Sequence, residues 1–177
     1  MSLSKKDVRE IAGFTFLEVG SDPEIWINRA RAFKDAAELI AKNEEYSPPF
    51  PYYYNAGISL ELYLKAIAIT QGKTFEANHR LNDLCKLVGM KLNKDQYCTL
   101  ELLSELIIWG GRYPVPKKEG QWDNYHDVIQ EKHKKREQEG NVGRVLANQD
   151  RFPSLKNCSI LWALCEQEYA SSINSKA

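Results

Sequence analysis

Apolar positions along this chain recur mostly at intervals of three and four. Trp26, Ala30, Phe33, Ala37 and Ile40 fall on one side of a helix, with Lys34, Asp35, Glu38 and Lys42 off that face. Asp22-Pro23-Glu24 supplies a start: a capping carboxylate, a proline suited to the first turn and an acid at the positive end. This helix is expected to reach about Asn43. Ser47-Pro-Pro-Phe-Pro51 cannot be helical inside, because each proline restricts the residue before it. A second helix follows over about Tyr53–Gln71, stopped by Gly72. It is apolar almost all round, which places it in the middle of a bundle. Asn78 as cap and Gly89 as stop bound a short helix over His79–Val88. Asn93-Lys-Asp-Gln96 is a variant capping box that opens a longer helix ending at Gly110-Gly111. Arg112-Tyr-Pro-Val-Pro116 reads as extended, and Trp122–Glu139 as a solvated helix. Phe152-Pro-Ser154 begins a last helix, with Ile160, Leu161, Leu164, Cys165 and Tyr169 inward. No strand with a clean period of two stands out.

The expected fold is all-α, an up-and-down bundle of five or six helices. One domain covers 21–173, an arm or short helix with Ile11, Phe14, Phe16 and Leu17 precedes it over 1–20, and residues 174–177 fray. The 177 residues suffice for a core without metal or disulfide support. Lys plus Arg and Asp plus Glu each number 24, which argues against a strongly basic nucleic-acid arm or a polybasic membrane anchor. The longest apolar stretches, around Ile58–Ile69 and Leu102–Trp109, are broken by Glu61, Lys65, Ser104 and Glu105 and are too short to span a bilayer. The N-terminus lacks the apolar run of a signal peptide, so a cytoplasmic location is expected. Cys85, Cys98, Cys158 and Cys165 form no C-x-x-C pair and do not group with the histidines at zinc spacing. They read as small core residues, and no metal or cofactor is expected.

Phosphate-loop, zinc-protease, serine-hydrolase and EF-hand signatures are all missing. Four weaker constellations remain. Glu61 and Lys65 lie four apart within the apolar helix, where a charge needs a partner or a purpose. His79 and Arg80 stand at a helix start, where backbone N–H groups favour an anion; the plain alternative is that His79 only packs the turn. Arg112 and Tyr113 follow Trp109-Gly-Gly, on an irregular segment where Arg suits phosphate and Tyr can stack on a base. Trp122, Tyr125, His126 and His133 precede or join the basic run Lys132–Arg136, which neighbouring acids blunt. Tyr52-Tyr53-Tyr54 reads either as the lining of a base-binding cleft or as a lid on the core with its hydroxyls outward.

The order of these parts carries a resemblance. Asn55-Ala-Gly-Ile-Ser-Leu-Glu61-Leu-Tyr-Leu-Lys65-Ala66, then Gly72, then His79-Arg-Leu81, then Arg112-Tyr113-Pro114 resembles the HEPN domain family over roughly Ala30–Pro116. That resemblance implies a helical bundle, commonly a homodimer, in one of two settings. One is a nucleotide-binding partner of a nucleotidyltransferase, often within a toxin–antitoxin pair. The other is a metal-independent ribonuclease with an Arg and a His four to six residues apart. The chain departs from the second pattern, since thirteen residues separate Arg112 from His126. Without a near histidine, general acid–base cleavage of RNA lacks its usual proton carrier.

The expectation is therefore a HEPN-like binding module for nucleotide or RNA phosphate, or for a partner protein such as a nucleotidyltransferase or antitoxin. Glu61, Lys65, His79, Arg80, Arg112 and Tyr113 are its candidate ligand-binding residues, and catalysis is not expected of it. The alternatives are a divergent ribonuclease using Arg112 with His126 or His79, and a helical dimerisation or scaffold protein.

Overall fold

A computed structural model of the protein describes residues 3–43, 50–139 and 142–175. Two short helices open it, α1 (Lys5–Ile11) and α2 (Phe16–Ser21). Each is closed by a reciprocal capping box, Ser4 with Asp7 and Thr15 with Glu18. Helix α3 (Pro23–Lys42) starts as expected, with the Asp22 carboxylate accepting the Glu24 N–H. Helix α4 (Phe50–Thr70) begins three residues earlier than expected, because Pro51 is tolerated in a first turn. The rest of the proline segment, Ser47–Pro49, lies outside the described residues. Then come α5 (Leu81–Val88), α6 (Lys94–Glu105), α7 (Glu119–Asn124) and α8 (Leu155–Asn174).

Helix α4 is the centre, as its all-round apolar sequence requires. Helices α3, α5, α6 and α8 all pack on it. Ala56, Leu60, Tyr63, Leu64, Ala66 and Ile67 are fully buried. Polar groups tie the layers at a few points. Ser59 Oγ donates to the Ala30 carbonyl at 2.8 Å, joining α4 to α3. The Tyr63 hydroxyl donates to Glu166 on α8, and the Tyr169 hydroxyl on α8 donates to Glu24 on α3, both at 2.7 Å. All four cysteines are buried and free. No described helix is long and apolar enough to cross a membrane.

Gly57 lets α4 approach α6 and the turn beyond it. A Cβ there would lie 2.7 Å from Cγ1 and 2.9 Å from Cδ1 of Ile107, whose side chain is itself buried. Gly57→Ala gains up to about 1 kcal/mol of helix propensity. Overpacking costs typically about 1–3 kcal/mol, so a net loss of roughly 1 kcal/mol is expected in urea unfolding. A more stable Gly57→Ala protein would show that Ile107 can step aside.

Several expectations need correction. The described residues contain eight α-helices, six of them (α3–α8) in the expected bundle and two short ones in the N-terminal segment, where one short helix or an arm was expected. The tyrosine triplet does not turn all its hydroxyls outward: the Tyr52 ring is 6% exposed and its hydroxyl is buried. Ile160 faces out, 44% exposed, while Trp162 two positions on is fully buried. Helix α5 starts two residues later than expected, with Arg80 at the cap position. Asn78 Oδ1 accepts the Arg80 N–H, and Ser104 Oγ from α6 accepts the Leu81 N–H. A neighbouring helix thus does what a local cap was expected to do.

The largest correction concerns Trp122–Glu139. It is not one solvated helix. A π-helical turn (Tyr125–Ile129) and a 3-10 turn (Gln130–His133) follow α7, and β1 (Lys134–Glu139) then pairs antiparallel with β2 (Val142–Ala147). Tyr125, Ile129 and His133 recur every four residues and are buried, so half of the segment is anchored to the core. Beyond His133 nothing apolar recurs at helical spacing, and the two-residue Gly140-Asn141 link is a hairpin signal in the sequence.

His133 fastens this segment. Its Nδ1 lies 2.9 Å from the Ile129 carbonyl and its Nε2 3.0 Å from the Cys98 carbonyl. Burial holds its pKa below the ordinary 6.5, although both carbonyls favour the charged ring. A depressed folded value means that the unfolded chain takes up the proton first. Stability contributed by neutral His133 is therefore complete above the unfolded value and lost as pH falls through the folded one. His133→Asn is expected to flatten the decline in melting temperature below pH 6.5. An unchanged slope would remove His133 as its cause.

Candidate functional site

The six residues singled out from sequence fall into three places. Glu61 and Lys65 are 4% and 8% exposed and pair with each other along α4. His79, just before α5, brings Nδ1 to 2.8 Å from the other oxygen of Glu61. The three form one junction, buried at Glu61 and Lys65 and open to solvent at His79, whose side chain is 44% exposed; Lys65 Nζ is also 5.4 Å from the centre of the Phe75 ring. His79 therefore turns to a carboxylate, not to a ligand at the helix start. Arg80 is exposed and lines a separate polar cleft of about 690 Å³ with Lys86, Asp83, Glu101 and Glu105. Its charges are mixed, so it offers no net field for an anion.

Arg112 and Tyr113 stand elsewhere, beside the first residues of α4. Helix α6 runs into a π-helical turn, Leu106–Gly110, and the Gly111 N–H closes it on the Leu106 carbonyl at 2.7 Å. A Cβ on Gly111 would meet that carbonyl oxygen at 2.7 Å and Tyr54 Cβ at 3.0 Å. Only glycine fits there, so the backbone can deliver the next residue onto α4. The Arg112 guanidinium then rests 5.7 Å from the Tyr54 ring centre and 5.3 Å from that of Tyr113. One of its nitrogens donates to the Ile108 carbonyl at 2.9 Å. This fixes the planar cation at the surface with its remaining donors uncommitted to any acceptor described here.

Opposite lies the second π-helical turn. It places Tyr125 and His126 against Trp109 and Trp122: Trp109–Tyr125 at 5.1 Å edge to face, Trp122–His126 at 4.3 Å and Tyr125–His126 at 5.0 Å between centres. Trp109 Nε1 donates to Glu105 at 2.9 Å and Gln121 shares the same carboxylate oxygen. Between the two turns opens a mainly apolar cavity of about 360 Å³, whose walls include Trp109, Arg112, Tyr113, Trp122, Tyr125 and His126. A second hollow of about 720 Å³ continues past Arg112 and Tyr113 along Pro114–Lys117. Both volumes suit a small ligand or a strand segment. Single-turn π-bulges inside helices often mark functional sites, and here two face each other.

His126 belongs to this wall. Its Nε2 is buried and has no hydrogen-bond partner among the described residues. Arg112 and His126 line one cavity despite their separation in sequence. Burial pushes the thiols of Cys85 and Cys158 up to about 12 and that of Cys165 above its ordinary value, which makes these three poor nucleophiles. No group of three or more metal-ligating side chains occurs among the described residues.

A family model for the HEPN domain matches residues 23–137. The chain belongs to the HEPN domain family. The match runs from the first residue of α3 into β1 and so contains the Glu61–Lys65–His79 junction, both π-helical turns and the cavity between them. No curated protein and no solved structure matches the chain. Membership of the HEPN family associates it with nucleotide- and RNA-related functions. The sequence offered Tyr54 as a candidate cleft lining and Trp109 as part of the segment before Arg112; what it did not show is that Tyr54 lies beside Arg112 and that Trp109 lines one cavity with Trp122, Tyr125 and His126.

Proposed function

We propose that this HEPN domain binds a nucleotide or a short RNA segment in the aromatic cavity. Arg112 takes a phosphate, and the exposed faces of Tyr113 and Trp122 stack on a base. One observation carries the reading: an exposed guanidinium 5.7 and 5.3 Å from the centres of two tyrosine rings stands at a cavity walled by two tryptophans and a histidine. Arg supplies planar, forked donors for phosphate, and aromatic faces accept any base. Glu61, Lys65 and His79 serve this site from behind, by setting the position of α4. Arg80 takes no part in it. A nucleotidyltransferase or antitoxin partner is the setting this reading favours.

The test is thermal stability against a panel of nucleotides and short RNAs. A ligand at one hundred times its dissociation constant adds about 2.7 kcal/mol, which raises the midpoint by roughly 5–10 °C. Trp122→Ala, a change at a partly exposed residue, is expected to remove that shift. No shift with any nucleotide or RNA sinks the proposal.

A second reading rests on Arg112 and His126 sharing one cavity. His126 would take the proton from an RNA 2′-hydroxyl as its oxygen attacks the adjacent phosphorus, and Arg112 would hold the phosphate oxygens. The P–O5′ bond breaks and the departing 5′-oxygen takes a proton from solvent water, leaving a 2′,3′-cyclic phosphate and a 5′-hydroxyl. Cleavage of RNA by the purified protein that disappears in His126→Ala favours this reading. Intact RNA beside a clear thermal shift leaves the binding module.

A further inference from the structure

Helix α2 leans over a hollow instead of a packed core. It contains no buried residue, yet its end is tied down, where Trp26 Nε1 on α3 donates to the Gly20 carbonyl at 3.0 Å. Between α2, α3 and α4 this leaves a cavity of about 360 Å³, walled by Phe14, Phe16, Val19, Ile25, Trp26 and Leu62. The volume falls in the range of small-molecule pockets. A helix of this length is not stable alone in water, so α2 gains carbon contact from any apolar occupant.

The polar points of the wall say which occupant. There are three, at Thr15, Gly20 and Arg29. Two are committed: the Thr15 hydroxyl donates to Glu18, and the Gly20 carbonyl takes the Trp26 N–H. The exposed Arg29 guanidinium makes no hydrogen bond or ion pair among the described residues. Its neighbours three and four positions away along α3 are Ile25, Trp26, Ala32 and Phe33, so no acid stands within a turn of it. An uncompensated cation at the rim of a carbon-lined hollow matches one chemistry. The forked donors fit a carboxylate, and the hollow fits an apolar body. A nucleotide suits it badly, because base edges would lose their hydrogen bonds against these walls. A lipid surface would call for an excess of cations, whereas Lys5, Lys6 and Arg9 are matched by Asp7, Glu10 and Glu18.

We infer that the hollow under α2 binds a small apolar monocarboxylate, with its carboxylate on Arg29 and its body against Trp26 and Leu62. This site shares no wall residue with the aromatic cavity and stands or falls independently of nucleotide binding there.

Titration calorimetry of the full chain with octanoate, decanoate, 2-naphthoate and octan-1-ol tests this. Saturable binding of an acid is expected, and the tighter of decanoate and 2-naphthoate shows whether the body is an acyl chain or a ring system. At about four-fold per buried methylene, decanoate should bind about fifteen-fold more tightly than octanoate. Octanoate should bind about ten-fold more tightly than octan-1-ol, and Arg29→Gln should abolish that preference while leaving the thermal midpoint unchanged. Val19→Trp, which fills the hollow from α2, should abolish binding of all four probes. Hydrogen exchange places the ligand without a variant: a saturating acid is expected to slow the amides of Val19 and Gly20. No saturable binding of any acid overturns the inference. So does an acid that binds no better than octan-1-ol, or as well to Arg29→Gln as to the unaltered chain, since carbon alone then holds it. Binding that leaves exchange in α2 unchanged, or an acid displaced by a nucleotide, overturns it by placing the ligand elsewhere.

Discussion

Glu61→Ala is expected to lower the unfolding free energy by about 3–5 kcal/mol, the usual result of leaving one buried charge without its partner. The Glu61 carboxylate holds Lys65 with one oxygen and His79 with the other, inside the central helix. Removing it strands Lys65, which is 8% exposed and has carbon around it. It also frees the segment before α5. At about 2–4 °C per kcal/mol the midpoint falls by roughly 6–20 °C. The control is the double replacement Glu61→Leu with Lys65→Met. Apolar side chains of similar volume often replace a buried pair at little cost, so most of the loss should return. Urea unfolding of the three proteins decides the matter. A loss below about 1 kcal/mol for Glu61→Ala would mean that Lys65 swings out to water and that the junction contributes little.

Arg112→Ala is expected to weaken nucleotide or RNA binding by roughly 10–100-fold, the equivalent of about 1.5–3 kcal/mol for charge-assisted hydrogen bonds. Stability should change by only about 0.5 kcal/mol, as for most surface substitutions. The side chain is exposed, and its structural tie is one bond to the Ile108 carbonyl. Arg112→Lys is not expected to rescue binding, because an ammonium does not offer a forked pair of donors. Titration calorimetry with the best RNA or nucleotide of the thermal panel reads the effect. Undiminished affinity in Arg112→Ala removes this residue from the site, whereas an unfolded variant assigns it to the fold.

Parts of the candidate site were legible because their chemistry is out of place locally. A carboxylate and an ammonium inside an apolar helix announce themselves, and Glu61 and Lys65 do pair. Arg112 and Tyr113 were marked by two glycines and a proline, which set them off from the preceding helix. What periodicity could not supply was which of these parts meet. His79 turned toward Glu61, and Arg80 turned away into another cleft. His126 came round to Arg112 because Trp122 and Tyr125 pack on Trp109, a contact between segments whose distance in sequence hides it.

The sequence by itself determined the helical class, the central place of α4 and most of the helix starts, such as the Asn93 capping box and the Asp22 cap. These follow from interactions spanning three or four residues, which a linear string displays. Only the tertiary structure decided the breaks in Trp122–Glu139 before His133 and the aromatic cavity. In that stretch Tyr125, Ile129 and His133 are held by α6 and its following turn, and Gly111 must clear Tyr54. Their local propensities are weak, so packing against distant residues sets the backbone.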